Sequence, residues 1–147
     1  MARESRIIEI QASPEIVFRV VKDVQAYPKF LGHLGMTDCT IDQDQGRTCI
    51  VTNHLKKLGA SFSFTLKYEI DEAAKKLTWS LVKAPFMSKN DGSWELKDLG
   101  NGRTRATYTV EVKFGFLVPQ AIVSVLVSSD LPALLEAFKK RAESLVA

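Results

Sequence analysis

From residue 60 to residue 70, apolar and polar side chains alternate without a slip. Ala60, Phe62, Phe64, Leu66, Tyr68 and Ile70 fall on one side of an extended chain; Ser61, Ser63, Thr65, Lys67 and Glu69 fall on the other. Successive side chains of a strand point to opposite faces, so this period of two predicts a strand with one dry and one wet face. The pattern returns in RATYTVEVKF, with Ala106, Tyr108, Val110, Val112 and Phe114 opposed to Arg105, Thr107, Thr109, Glu111 and Lys113. Shorter runs repeat it. RIIEIQA sets Ile8, Ile10 and Ala12 against Ile7, Glu9 and Gln11; KLTWSLV groups Leu77, Trp79 and Leu81; SWELK groups Trp94 and Leu96. CTIDQ and RTCIVTNHL flank Asp44-Gln45-Gly46, a hairpin signal, and Gly100-Asn101-Gly102 marks another turn. Strict alternation with short turns belongs to antiparallel meanders, because parallel strands buried on both faces read as continuous apolar runs.

Helical spacing appears at the two ends of the chain. Ser13 is placed to cap a helix whose first position is Pro14, and Ile16, Val17, Val20, Val21 and Val24 then recur on one stripe. Pro28 disfavours the helical conformation at Tyr27, so this helix is expected to end near Gln25, with Pro28 offering a start to a second short one. From Pro119 to Ala147 the chain reads as a long helix with a stripe of Ile122, Val125, Leu126, Leu134, Leu135, Phe138 and Leu145. Pro132 should kink it by clashing with the carbonyl of Ser128; a break into two helices at Ser129-Asp130 is the competing reading. A sheet with one apolar face needs a cover, and this segment supplies it. The expected fold is therefore α+β, with about seven antiparallel strands, two short helices after the first strand and a long C-terminal helix.

A chain of 147 residues suits one domain. Lys and Arg are scattered and the net charge is only +3, so the concentrated basic stripe of a nucleic-acid binder is missing. MARESRIIEIQ lacks the apolar stretch of a signal peptide, and the longest apolar run, AIVSVLV, falls far short of a bilayer span, so a cytoplasmic protein is expected. Cys39 and Cys49 have no zinc-like spacing and are expected to be free, partly buried thiols. His33 and His54 stand on different elements without a carboxylate or thiol at metal-ligand spacing, and no catalytic motif is present. No catalytic residue, metal ligand or cofactor is assigned.

Taken together, ASPEIVFRVVKDVQAYPKFL (12–31), GSWEL (92–96), GRTRATYTVEV (102–112) and LLEAFKKRAES (134–144) resemble the START-like, or polyketide cyclase/dehydrase, superfamily. Within it they look most like the branch of coenzyme Q-binding proteins and ribosome-associated toxins. The resemblance covers essentially the whole chain as a single START-like domain and implies a helix-grip: a curved sheet wrapped on the last helix, with a cavity between them. One departure is that Gly32-His33-Leu34 follow Phe30-Leu31, where that branch usually has Pro.

The inward aromatics admit two readings. They fill a core, or they line a space the curled sheet leaves open. With the cavity that the resemblance implies, the candidate ligand-binding residues are Phe30, Phe62, Phe64, Tyr68, Trp79, Trp94, Tyr108, Val110, Phe114, Ile122 and Leu126. Phe30 is expected at the cavity rim and Tyr27 as a structural wedge. Tyr68, Tyr108 and, if its strand faces inward, Asn53 are the few polar groups that would point inward. The apolar connections APFM (84–87) and GFLVP (115–119) mark a cavity mouth, a dimer contact, a membrane contact or ordinary folded-back loops. The first functional expectation is a non-enzymatic carrier of a small hydrophobic molecule such as an isoprenoid quinone, lipid or aromatic polyketide. A polyketide cyclase, aromatase or dehydrase is the alternative, and a ribosome- or protein-interacting module a further one. Nucleic acid is not expected as a partner; transient membrane contact and a homodimer stay open.

Overall fold

Each stretch of alternating polarity forms a strand, and the two helical stretches close the sheet from one side. The computed structural model describes residues 2–57, 59–115, 118–125 and 130–146. β1 (Ala2–Ile10) leads into α1 (Pro14–Lys22). A 3-10 turn at Val24–Ala26, α2 (Tyr27–Leu31) and a second 3-10 turn at Gly32–Leu34 follow. Then come β2 (Met36–Asp44), β3 (Thr48–Lys57), β4 (Ala60–Asp71), β5 (Lys76–Lys83), β6 (Met87–Gly100) and β7 (Arg103–Phe114). α3 (Gln120–Val125) and α4 (Leu131–Ser144) complete the order.

The strands form one seven-stranded antiparallel sheet in the order β1-β7-β6-β5-β4-β3-β2. β2 to β7 are a meander, and β1 returns to the far edge beside β7. Register shifts interrupt β2–β3, β4–β5 and β6–β7. Such irregularities bend strands, which lets the sheet curl around what it covers. β5 and β6 are paired only from Lys76↔Glu95 to Trp79↔Gly92.

Because the side-chain period is two, the register fixes which residues share the concave face. Leu77 stands opposite Trp94, Trp94 opposite Tyr108, and Tyr68 opposite Trp79. Trp94, Leu77, Val51, Ile10 and Ala106 are buried on that face beneath Val17, Phe18 and Val21 of α1 and Leu131, Leu135, Phe138 and Ala142 of α4. Ile7, on the other side of β1, is exposed.

Local chemistry sets the ends of α1. The Ile16 N–H donates to Ser13 Oγ at 3.4 Å, and Pro14 occupies the first turn. The helix stops at Lys22, short of the expected Gln25, because Asp23 leaves helical geometry at φ −86° and ψ 71°. Tyr27 corrects the sequence reading in the other direction. It is helical, with φ −52° and ψ −43°, although Pro28 follows. Its buried hydroxyl donates to the Val21 carbonyl, and its ring packs edge-on to Phe138. Those contacts offset the local preference.

At the C-terminal end, α3 and α4 are the described parts of the stretch read as helical, and α4 is the long C-terminal helix expected. Pro132 lies in the first turn of α4, where its missing N–H costs nothing. Residues 126–129, and with them Leu126, lie outside the described residues, as does the core of GFLVP at 116 and 117. The far end of α4 is tied to β1: Lys139 Nζ donates to the Glu9 carbonyl at 3.0 Å, and the Gln11 N–H donates to Glu143 Oε2 at 2.8 Å. Buried Thr104 reinforces this corner with a 2.7 Å hydrogen bond to the Ala12 carbonyl. The thiols are free, as expected. Cys39 pairs with Asn53 and Cys49 with Asp44 across β2 and β3, so they sit several rungs apart.

Candidate functional site

Between the concave face and the helices lies a cavity of about 240 Å³. Its wall is apolar on most sides and open to solvent on part of one. Nine expected residues line it: Phe62, Phe64 and Tyr68 of β4, Trp79 of β5, Trp94 of β6, Tyr108, Val110 and Phe114 of β7, and Ile122 of α3. Of the other two, Leu126 is not among the described residues. Phe30 is not among the lining residues; its ring packs edge-on against Phe138 at 5.0 Å and Tyr27 at 5.9 Å, both of which line the cavity, and the Arg141 guanidinium lies 5.8 Å from its centre. Tyr27, expected only as a wedge, does both jobs: its ring lines the space while its hydroxyl ties down the end of α1.

Two aromatic groups bracket the cavity. At one end Trp94 touches Tyr108 (ring centroids 4.9 Å apart) and Phe138 (5.0 Å), and Phe138 continues to Tyr27 at 5.1 Å. At the other end Phe86, from the connection before β6, meets Phe62 at 4.8 Å and stacks near Phe114 at 6.5 Å. Phe86 and Met87 of APFM and Val118 of GFLVP all reach the wall, so both apolar connections contribute to it.

Trp79 is held in place from two sides. Its indole Nε1–H donates to Asn90 Oδ1 at 3.0 Å, and its ring lies across Gly92, its partner in the ladder. A Cβ at Gly92 would stand 2.2 Å from the ring and 2.6 Å from the Thr109 carbonyl, so only glycine allows this approach. Asn90 was not anticipated from the sequence. The available signal was the period of two, which carries the inward face from Trp94 back through Gly92 to Asn90.

The polar lining is sparse. Asn53 and Asn90 face the space, with the tyrosines and, toward solvent, Glu4 and Asp130. Glu4 pairs with the Arg6 guanidinium at 2.7 Å. Burial pushes the phenols of Tyr27, Tyr68 and Tyr108 well above the usual tyrosine range, and the Asn53 side chain offsets this only in part at Tyr68. The Cys39 thiol, desolvated and beside Asp38, is pushed up to about 12. These groups are neutral at ordinary pH and act there as hydrogen-bonding groups. His54 lies outside the cavity, with its Nδ1 2.8 Å from Ser63 Oγ. Among the described residues no cluster of three His, Cys, Asp or Glu side chains could hold a metal ion, and no helix is long and apolar enough to cross a membrane.

A sheet that grips helices around an apolar cavity has close counterparts among known proteins. The sequence model of the polyketide cyclase / dehydrase and lipid transport family matches residues 10–139. The chain belongs to that family. Among solved structures, an aromatase/cyclase from a Streptomyces species superposes with a TM-score of 0.87 at 18% identity, covering 99% of this chain and 96% of that one. A START superfamily protein from Mycobacterium smegmatis gives 0.82 at 23% identity, covering 98% and 99%. At such identities the likeness is one of fold, and it establishes the helix-grip. In sequence, the ribosome association toxin RatA of Vibrio cholerae is 25% identical over 144 residues, 97% of this chain and 96% of its own length.

Proposed function

We propose that this family member binds and carries a small hydrophobic molecule between the sheet and α4. The observation that carries the reading is the cavity itself, about 240 Å³ of space walled by aromatic and aliphatic side chains. An apolar cavity of about 150 Å³ accommodates a benzene ring. By that measure the enclosed space suits roughly ten non-hydrogen atoms, the size of a bicyclic aromatic head. The tail of an isoprenoid quinone or a lipid would run out through the open side. Burial supplies the affinity, at about 25 cal/mol per Å² of apolar surface removed from water.

Carriage is favoured over proton-transfer chemistry by the state of the inward phenols. A general acid or base works best with a pKa near the working pH, and burial moves Tyr68 and Tyr108 away from it. Glu4 and Asp130 at the wall keep a cyclase or dehydrase in view, since a carboxylate is a competent base. The ribosome link in the name of the Vibrio cholerae relative would act here through the outer surface, and co-sedimentation with ribosomes tests it independently of the cavity.

Native mass spectrometry of the purified protein, followed by organic extraction, tests the carrier reading. The expected result is a bound mass that extraction removes. Adding back the extracted molecule at a hundredfold excess over its dissociation constant should raise Tm by about 5 to 10 °C. Absence of any bound mass, together with unchanged Tm in the presence of quinones, fatty acids and phospholipids, would contradict it.

A further inference from the structure

Asn53 is the unresolved polar group of the cavity. It sits on β3 opposite Phe64, is 1% exposed and lines the wall. Its Oδ1 accepts from Cys39 Sγ at 3.2 Å, while its Nδ2, near enough to the Tyr68 oxygen to favour the phenolate, makes no hydrogen bond within 3.5 Å. A buried amide N–H without an acceptor costs stability, and folded proteins seldom tolerate one. Asn90, on the far side of the space, shows the contrast: its carbonyl is taken by the Trp79 indole.

The surroundings define what would satisfy Asn53. Tyr68 lies beside it on β4, a neutral phenol that can donate alongside the amide. No Lys, Arg or His is among the described residues that line the cavity, whereas Glu4 and Asp130 are. Neutral donors without a cation suit an uncharged acceptor oxygen and disfavour a carboxylate, whose desolvation nothing here would offset.

We propose that Asn53 Nδ2, with the Tyr68 hydroxyl beside it, recognises the carbonyl oxygen of an otherwise apolar ligand, a neutral ketone, ester or quinone rather than a fatty acid or a plain hydrocarbon. This rests on the carrier reading above and narrows it to a ligand class. The apolar wall supplies most of the affinity, and the amide sets orientation and selects one oxygen-bearing end. The ligand in turn relieves the unpaired N–H, so the empty protein is the one that carries the burden.

Titration calorimetry with three probes of matched size tests this: tetralin, 1-tetralone and 1,2,3,4-tetrahydro-1-naphthoate. Wild-type protein should bind the ketone about tenfold more tightly than the hydrocarbon, and the carboxylate most weakly of the three. The infrared carbonyl stretch of bound 1-tetralone should move to lower frequency than in an alkane solvent. Asn53→Leu should lose the preference for the ketone, keep the affinity for tetralin and be no less stable than wild type. If Asn53→Leu does not fold, the wild-type carbonyl stretch and the ketone affinity of Tyr68→Phe carry the test. Equal binding of ketone and hydrocarbon, or an unshifted carbonyl band, overturns this inference while leaving the carrier reading standing. Failure of all three probes to bind overturns both.

Discussion

Gly92 shows how much one side chain, or its absence, decides here. The Trp79 ring rests where a Cβ at 92 would be, and the backbone carbonyl of Thr109 closes the other side. Gly92→Ala must therefore displace the ring or the ladder. We expect a loss of about 3 kcal/mol in denaturant unfolding, with a change in tryptophan emission as Trp79 leaves its hydrogen bond to Asn90. A variant as stable as wild type would show that the ring can move freely into the cavity. Tyr27→Phe is a cleaner deletion. It keeps the ring against Phe138 and removes only the buried hydroxyl, leaving the Val21 carbonyl unpaired, so about 1 to 3 kcal/mol should be lost. At this scale the sequence was informative where alternation was strict: Phe62, Phe64, Tyr68, Tyr108, Val110 and Phe114 follow from parity alone. Phe30 was less legible, because a five-residue helix has no periodicity long enough to fix a face. Packing of α4, far off in sequence, chooses between Tyr27 and Phe30. Asn53 was conditional on strand direction for a similar reason, since only pairing with β4 settles its side.

Among elements, β4 and β7 were legible almost residue by residue, whereas β6 was seen only at SWELK. Its first half, Met87 to Asp91, carries polar residues on both faces and a register shift, and an inward Asn breaks the apolar rhythm. The helices were legible as helices but not in their ends, which depend on single backbone angles at Asp23 and on the position of Pro132 within a turn. α4 matters most for the site, because Phe138 alone touches Tyr27, Phe30 and Trp94. Phe138→Ala should cost about 3 to 5 kcal/mol. It should also enlarge the cavity, so that tighter binding of a bulkier aromatic probe accompanies the lower stability. Loss of stability without any change in ligand size preference would mean that the helix–sheet gap closes on itself.

Across the whole molecule, the chain's three tyrosines are all buried beside or within the cavity, and burial raises the pKa of each. An unfolded tyrosine releases its proton near pH 10, whereas the folded one holds it to higher pH. Above pH 10 the unfolded state therefore binds fewer protons than the native state, so stability falls as pH rises. Below pH 9 these groups contribute no pH dependence. The slope reaches about 1.4 kcal/mol per pH unit for each tyrosine fully differentiated, and Cys39 adds to it from about pH 9. In a spectrophotometric titration, phenolate absorbance should appear only with cooperative unfolding; a tyrosine titrating smoothly near pH 10 in folded protein would mean that water fills its surroundings.

The central claim, that the space between sheet and helices takes up a small neutral apolar molecule, is tested most directly by the chain's two tryptophans, because both line the cavity. Titrating 1-tetralone while following tryptophan emission should give a saturable change at one ligand per chain, reversed by a tighter competitor. Emission that stays unchanged, or that changes linearly without saturation up to the solubility limit, would contradict the account.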